Sequence, residues 1–188
     1  LYVADYNTPK RIHVFSRNAT TGALTDVQCL SEAPAPTGCT TGRVLGNSKS
    51  VAISRDGLHA YAGDYQHGLS VFDRNSTTGT LTQKSGTAGC ITDTGKDDTG
   101  ASTCAVGRVM FGDYPITLAP NGQTLYVPAG YPGYGVAIFH VNSDGTLTQL
   151  AGNAGCITKS GNDELGNPTC ATGRALNGGP YGGAISPD

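Results

Sequence analysis

Val51-Ala52-Ile53-Ser54-Arg55-Asp56-Gly57-Leu58-His59-Ala60-Tyr61-Ala62 decides the fold, together with Leu69-Ser70-Val71-Phe72-Asp73-Arg74 and Thr78-Gly79-Thr80-Leu81-Thr82 behind it. The passage returns as Ile116-Thr117-Leu118-Ala119-Pro120-Asn121-Gly122, Leu125-Tyr126-Val127, Val136-Ala137-Ile138-Phe139 and Gly145-Thr146-Leu147-Thr148. A shortened copy opens the chain, and Ala184-Ile185-Ser186-Pro187-Asp188 begins another. Self-similarity at a fixed period marks a repeat architecture and is read before anything else.

Arg43, Arg108 and Arg174 lie 65 and 66 residues apart and set the frame. Each unit reads as four short strands. Strand one is an inner apolar run (residues 50–54, 115–119 and 183–186) ending in Arg-Asp-Gly, Pro-Asn-Gly or Pro-Asp. Pro presets one turn angle, and Asn or Asp with Gly tolerates positive φ, so these are tight hairpins. Strand two (1–4, 59–62, 124–127) repeats Tyr2, Tyr61 and Tyr126; strand three (12–16, 69–73, 136–140) repeats Phe15, Phe72 and Phe139. Strand four covers 23–26, 80–83 and 146–149. Apolar and polar residues alternate in strands two to four, which predicts half-buried antiparallel strands. The intervals 28–48, 85–114 and 151–180 are rich in Gly, Thr, Asp and Asn, show no periodicity, and read as loops.

Four strands per unit imply an all-β fold, a β-propeller, with three four-stranded blades in residues 1–188 and repeats at about 1–57, 58–122 and 123–188. Blades usually take about 40–50 residues, and the Cys-bounded loop carries the excess. Three blades do not close a ring, so the expectation is part of a six- to eight-bladed propeller or closure by oligomerisation, with the first preferred. The composition agrees: 28 Gly, 10 Pro, no Trp and one Met suit many turns. No apolar run is long enough to span a membrane, and no signal peptide is visible, so the chain reads as a mature or trimmed product. The net charge of −2, with scattered basic residues, argues against nucleic acid as a partner.

The six cysteines fall in three pairs, one per repeat: Cys29 with Cys39, Cys90 with Cys104, Cys156 with Cys170. The second and third pairs share the frame Ala-Gly-Cys-Ile-Thr followed by Thr-Cys-Ala-x-Gly-Arg. Six cysteines allow fifteen connectivities in principle, but one pair per repeat favours local bridges, each stabilising by roughly 3 kcal/mol. Zinc is the rival, yet there are no CxxC pairs and no repeated His in these loops. Disulfides imply an extracellular or periplasmic home. Asn18-Ala19-Thr20 and Asn75-Ser76-Thr77 fit the N-glycosylation pattern at matching repeat positions; a polar turn is the preferred reading.

Ser-Pro-Asp, Leu-Tyr-Val-Ala, Val-Phe-Asp-Arg and Thr-Gly-Thr-Leu-Thr together resemble the YVTN-type repeats of lactonase-like seven-bladed propellers, a group that includes bacterial 6-phosphogluconolactonase. The Gly-Cys-Ile loop with its second Cys and Gly-Arg resembles a secreted bacterial variant of these repeats. The resemblance implies a propeller fold and lactone hydrolysis as one activity; no motif places a lactonase active-site residue on this chain.

Up-and-down connectivity puts the Cys-bounded loops on one rim with the loops joining strands two and three. That rim holds Tyr6, Tyr65, His67, Tyr131 and Tyr134, and tyrosine pairs a flat apolar face with a hydroxyl suited to carbohydrate or peptide ligands. Arg43, Arg108 and Arg174 are ligand candidates on the same rim, although recurrence in every repeat favours a guanidinium tying loop carbonyls together. Asp93, Asp97 and Asp98, then Asn162, Asp163 and Glu164, offer oxygen ligands for Ca²⁺, with Glu32 alone in the first repeat; a solvated polar loop is preferred, and no metal or cofactor is implied firmly. His13, His59, His67 and His140 occupy different phases of the repeat. Gly-x-Ser-x-Gly is absent, so no nucleophile elbow is visible.

Three functions fit. A secreted binding or scaffold propeller, recognising a glycan or cell-surface protein through rim loops, is preferred because the repeats are so regular. A lactone hydrolase requires one blade to break symmetry near the axis. A structural subunit would assemble through edge strands.

Overall fold

The computed structural model describes residues 1–5, 10–66, 68–111, 115–130, 134–174, 176 and 183–186. It is all-β, with three sheets built in series. The first sheet is β1 (Tyr2–Asp5), β2 (Arg11–Arg17), β3 (Leu24–Ser31) and β4 (Thr40–Thr41), hydrogen-bonded in that order. The second holds β5 (Ser48–Ile53), β6 (His59–Asp64), β7 (Gly68–Arg74), β8 (Leu81–Gln83), β9 (Cys90–Thr92) and β10 (Ala105–Val106). Its order is β10-β9-β7-β6-β5, with β8 also pairing β7. The third repeats this with β11 (Thr117–Leu118), β12 (Thr124–Ala129), β13 (Gly135–Val141), β14 (Leu147–Gln149), β15 (Cys156–Thr158) and β16 (Ala171–Thr172). These are propeller blades: β5 packs on β1 of the blade before it and meets β11 of the blade after it.

Alternation along the strands has a different meaning from the half-buried one expected. The middle blade is covered on both faces, so β7 is buried from Gly68 to Phe72. Apolar residues take both sides. Ala60, Ala62 and Phe72 pack with Ile12, Val14 and Leu30 of the first blade. Tyr61, Leu69 and Val71 pack with Leu125, Val127 and Phe139 of the third. Tyr61 is fully buried and its hydroxyl donates to the Gly145 carbonyl at 3.1 Å; burial pushes its pKa up. Removing an aromatic ring such as that of Phe72 from this sandwich costs about 3–5 kcal/mol.

The Cys-bounded intervals are more ordered than a loop. In the second and third blades strand four breaks at a 3₁₀ turn (Gly86–Gly89 and Gly152–Gly155) and resumes against the third strand as β9 and β15. The chain then leaves the blade, loops, and comes back as a two-residue strand parallel to β9 or β15. In the first blade strand four is continuous as β3, with a register shift opposite Val14 and Phe15, and β4 pairs with it in parallel. Disulfides Cys29–Cys39, Cys90–Cys104 and Cys156–Cys170 pin each return to the strand it pairs with. Residues 183–186, expected as a strand, are not assigned as one; they lie over the third blade, with Thr117 Oγ1 donating to the Gly183 carbonyl at 3.1 Å.

Candidate functional site

The axial edge of each blade is its first strand, and two features stand at the end where that strand begins. One is a seam that recurs between blades. The other is a polar cluster of the second blade that the third blade lacks.

The seam starts from the repeated arginines. Arg43 leaves the first blade and reaches into the second: Nη1 donates to the Thr103 carbonyl at 2.9 Å, Nη2 to Lys84 at 2.9 Å and to Gly86 at 3.1 Å. Arg108 does the same one blade on, to Thr169 at 2.7 Å, Leu150 at 2.9 Å and Gly152 at 3.2 Å. The guanidinium therefore ties a blade to its successor rather than bracing its own loop. A Cβ at Gly89 would lie 2.2 Å from Arg43 Nη2, so only glycine leaves room. Gln83 grips the arginine backbone, accepting from Arg43 N at 2.8 Å and donating to Arg43 O at 2.9 Å; Gln149 repeats this on Arg108. Arg174 holds the same place in the third repeat and is exposed.

The residue after each arginine is backbone-strained. Val44 and Val109 sit at φ 58° and 59°, an unusual conformation for a β-branched residue. Both amides are answered by the next blade: Val44 N by the Asp98 carboxylate, Val109 N by Glu164 at 2.6 Å. Ser70 Oγ lies 2.7 Å from both the Arg43 and Val44 carbonyl oxygens. The Val44 side chain is buried against Cys90 and Cys104. The Cys90–Cys104 and Cys156–Cys170 loops are thus sockets for the blade before each.

This corrects the picture of the acidic loops as solvated. Asp97 is buried, and its carboxylate accepts from the Thr99 amide and hydroxyl, the Ala101 amide and the Thr103 hydroxyl. Burial opposes its ionisation, but those donors outweigh it and hold the carboxyl down at about 2. Asp163 serves the next loop through Leu165, Asn167 and Thr169. Glu164 shifts the other way, pushed up by burial. Among the described residues, no three His, Cys, Asp or Glu side chains come together to hold a metal ion.

The second feature lies where β5 begins and β6 ends. Asp64 is fully buried; it accepts from the Asn47 amide at 2.5 Å and the Gln66 amide at 2.9 Å. Asn47 Nδ2 donates to Gln66 Oε1 at 2.5 Å, and Lys49 Nζ stands 3.9 Å over the centre of the Tyr65 ring. A cation over an aromatic face is held by the ring quadrupole. Of the rim residues named from sequence, Tyr65 joins this cluster, and Tyr134 is half-buried at φ 29° at the matching loop of the third blade. Tyr6, His67 and Tyr131 lie outside the described residues. Asn47, Lys49, Asp64 and Gln66 were not picked out by motif. Their signal is part repeat, part difference: Asp64-Tyr65 matches Asp5-Tyr6 of the first repeat, while in the third blade Gly112 and Tyr114 stand where Asn47 and Lys49 do, and Ala129 where Asp64 does.

Blades of this kind, stacked by their faces with first strands at the hub, define a stretch of a β-propeller. Three solved propeller structures share its fold. One from Bacteroides uniformis, assigned as a 6-phosphogluconolactonase, has a TM-score of 0.51 at 23% identity, covering 78% of this chain and 35% of its own. A Bacteroides fragilis protein with the same assignment gives 0.50 at 21%, covering 73% and 31%. The Pseudomonas aeruginosa periplasmic gluconolactonase gives 0.50 at 13%, covering 84% and 40%. At these identities the likeness is one of fold, and this chain spans between about a third and two fifths of each of those structures. No family model matches the chain, and no curated protein matches it in sequence.

Proposed function

We propose that these blades belong to a secreted or periplasmic lactonase-like propeller, and that the cluster around Asp64 holds a sugar-derived lactone at the axial end of the second blade. The observation that carries this is the cluster itself: a fully buried carboxylate, Asp64, holds Asn47 beside a cation, Lys49, set over the Tyr65 ring, where the third blade has Gly112, Tyr114 and Ala129 at the aligned positions. Lys49 supplies a positive charge where a lactone carbonyl oxygen gains negative charge on attack, the kind of fixed electrostatic aid that lowers acyl-transfer barriers. Asp64 positions it indirectly, by fixing Asn47 two residues earlier, just before β5 begins. The fold likeness to proteins bearing lactonase names supports the substrate class, and three closed disulfides support the compartment.

The test is hydrolysis of glucono-δ-lactone by the full-length protein, followed by acid release with and without added divalent cation. Turnover above the spontaneous rate, falling at least tenfold in kcat/KM in Lys49→Ala, supports the reading. Saturable binding of a glycan or protein at this rim without turnover makes it a binding module instead. Turnover unchanged in Lys49→Ala removes the cluster from the reaction.

A further inference from the structure

At the end of the blades away from the disulfide loops, the turn between β5 and β6 faces two turns of the third blade across a cleft of about 610 Å³. That volume lies in the range of small-ligand sites. Its polar groups are largely unspent. Arg55 projects from an exposed turn, and its guanidinium has no hydrogen-bond or ionic partner among the described residues. The same is true of the side chains of Gln123, His140 and Ser143.

The rest of the wall is fixed in place. Asp56 spends one carboxylate oxygen on Ser54 Oγ at 2.5 Å and the Leu58 amide at 2.9 Å, leaving the other to accept. His59 Nδ1 is 3.2 Å from Asp73 Oδ1, so Nε2 is the ring nitrogen left for a ligand. Its ring lies against the third blade so closely that a Cβ on Gly145 would come within 2.2 Å of it. Two blades thus contribute one rigid pocket wall each.

The chemistry selects a ligand class. Arg55 and Asp56 balance in charge, so an anion drawn by the guanidinium also meets the carboxylate. The lining offers both donors and acceptors, as sugar hydroxyls require: guanidinium, carboxylate, amide, imidazole and hydroxyl. We propose that this cleft is a second binding site, for a neutral sugar unit, distinct from the axial rim.

Titration of the full-length protein with cellobiose and with N,N′-diacetylchitobiose, followed through the His59 and His140 ring resonances, tests it. Saturable shifts of both rings with either disaccharide are expected, weakened at least tenfold in Arg55→Ala and in Gln123→Ala. Ser143→Trp, which fills the cleft from an exposed turn, abolishes the shifts while leaving the melting temperature in place. No shift with either sugar, or shifts that survive all three substitutions, overturns the proposal. So does binding of glucuronate or inorganic phosphate where the neutral sugars fail.

Discussion

Val44 pays for its place in backbone strain and recovers it in contact. A left-handed conformation costs a residue with a Cβ about 1–2 kcal/mol, while its buried side chain is worth about 1.5–3 kcal/mol. The two nearly offset, so Val44→Gly is expected to change stability by less than about 1.5 kcal/mol in urea unfolding. Val14 is just as buried, on β2 at ordinary φ. There Val→Gly loses the packing with no strain to relieve and costs about 3 kcal/mol or more. Equal losses at both sites would refute the strained reading. Asp97 provides the pH test. Its folded pKa of about 2 lies below the ordinary aspartate value, so its stabilisation is present at neutral pH and drains away as pH falls from about 4 toward 2. Protection factors of the Thr99 and Ala101 amides, referred to the intrinsic exchange rate at each pH, should fall over that interval in the wild type, and already be low at neutral pH in Asp97→Ala. Glu164, raised by burial, works in the opposite sense: its contribution is present in acid and lost as pH rises through its folded value.

Among the elements, the disulfide-bounded return is the one that carries most weight. Replacing Cys90 and Cys104 by Ser releases a loop with a sequence separation of 14, a loss of roughly 3 kcal/mol on the chain-entropy account. It also frees the Thr103 carbonyl and the Asp98 carboxylate from the places where Arg43 and Val44 meet them. The prediction is therefore a protection loss at residues 43 and 44 of the first blade, seen by hydrogen exchange, with residues 108 and 109 unchanged. The antiparallel core of each blade was legible because Asp-Gly and Asn-Gly turns bound alternating runs, and because Tyr and Phe return at fixed offsets. The parallel returns were not legible. Ala105-Val106 is a two-residue strand, too short for any period to register, and its pairing is made by closure of the ring rather than by propensity. The site was hidden for a different reason: Asp64-Tyr65 matches Asp5-Tyr6 of the first repeat, but Asn47 and Lys49 follow no repeat and reach Asp64 only once β5 and β6 pair.

For the molecule as a whole, the seams decide how blades act together. Arg43 and Arg108 make like contacts in separate seams, so Arg43→Ala and Arg108→Ala should each cost about 2–3 kcal/mol and add within a few tenths in the double variant. Strong non-additivity would mean the blades share more than these contacts. The arginine tie also runs one way. In both seams the guanidinium passes from one blade into the next, so injury to a bridge is felt upstream and spares the neighbour ahead. A blade of foreign sequence spliced into the series without a bridge would strand the cation behind it, yet its own arginine would still find a berth.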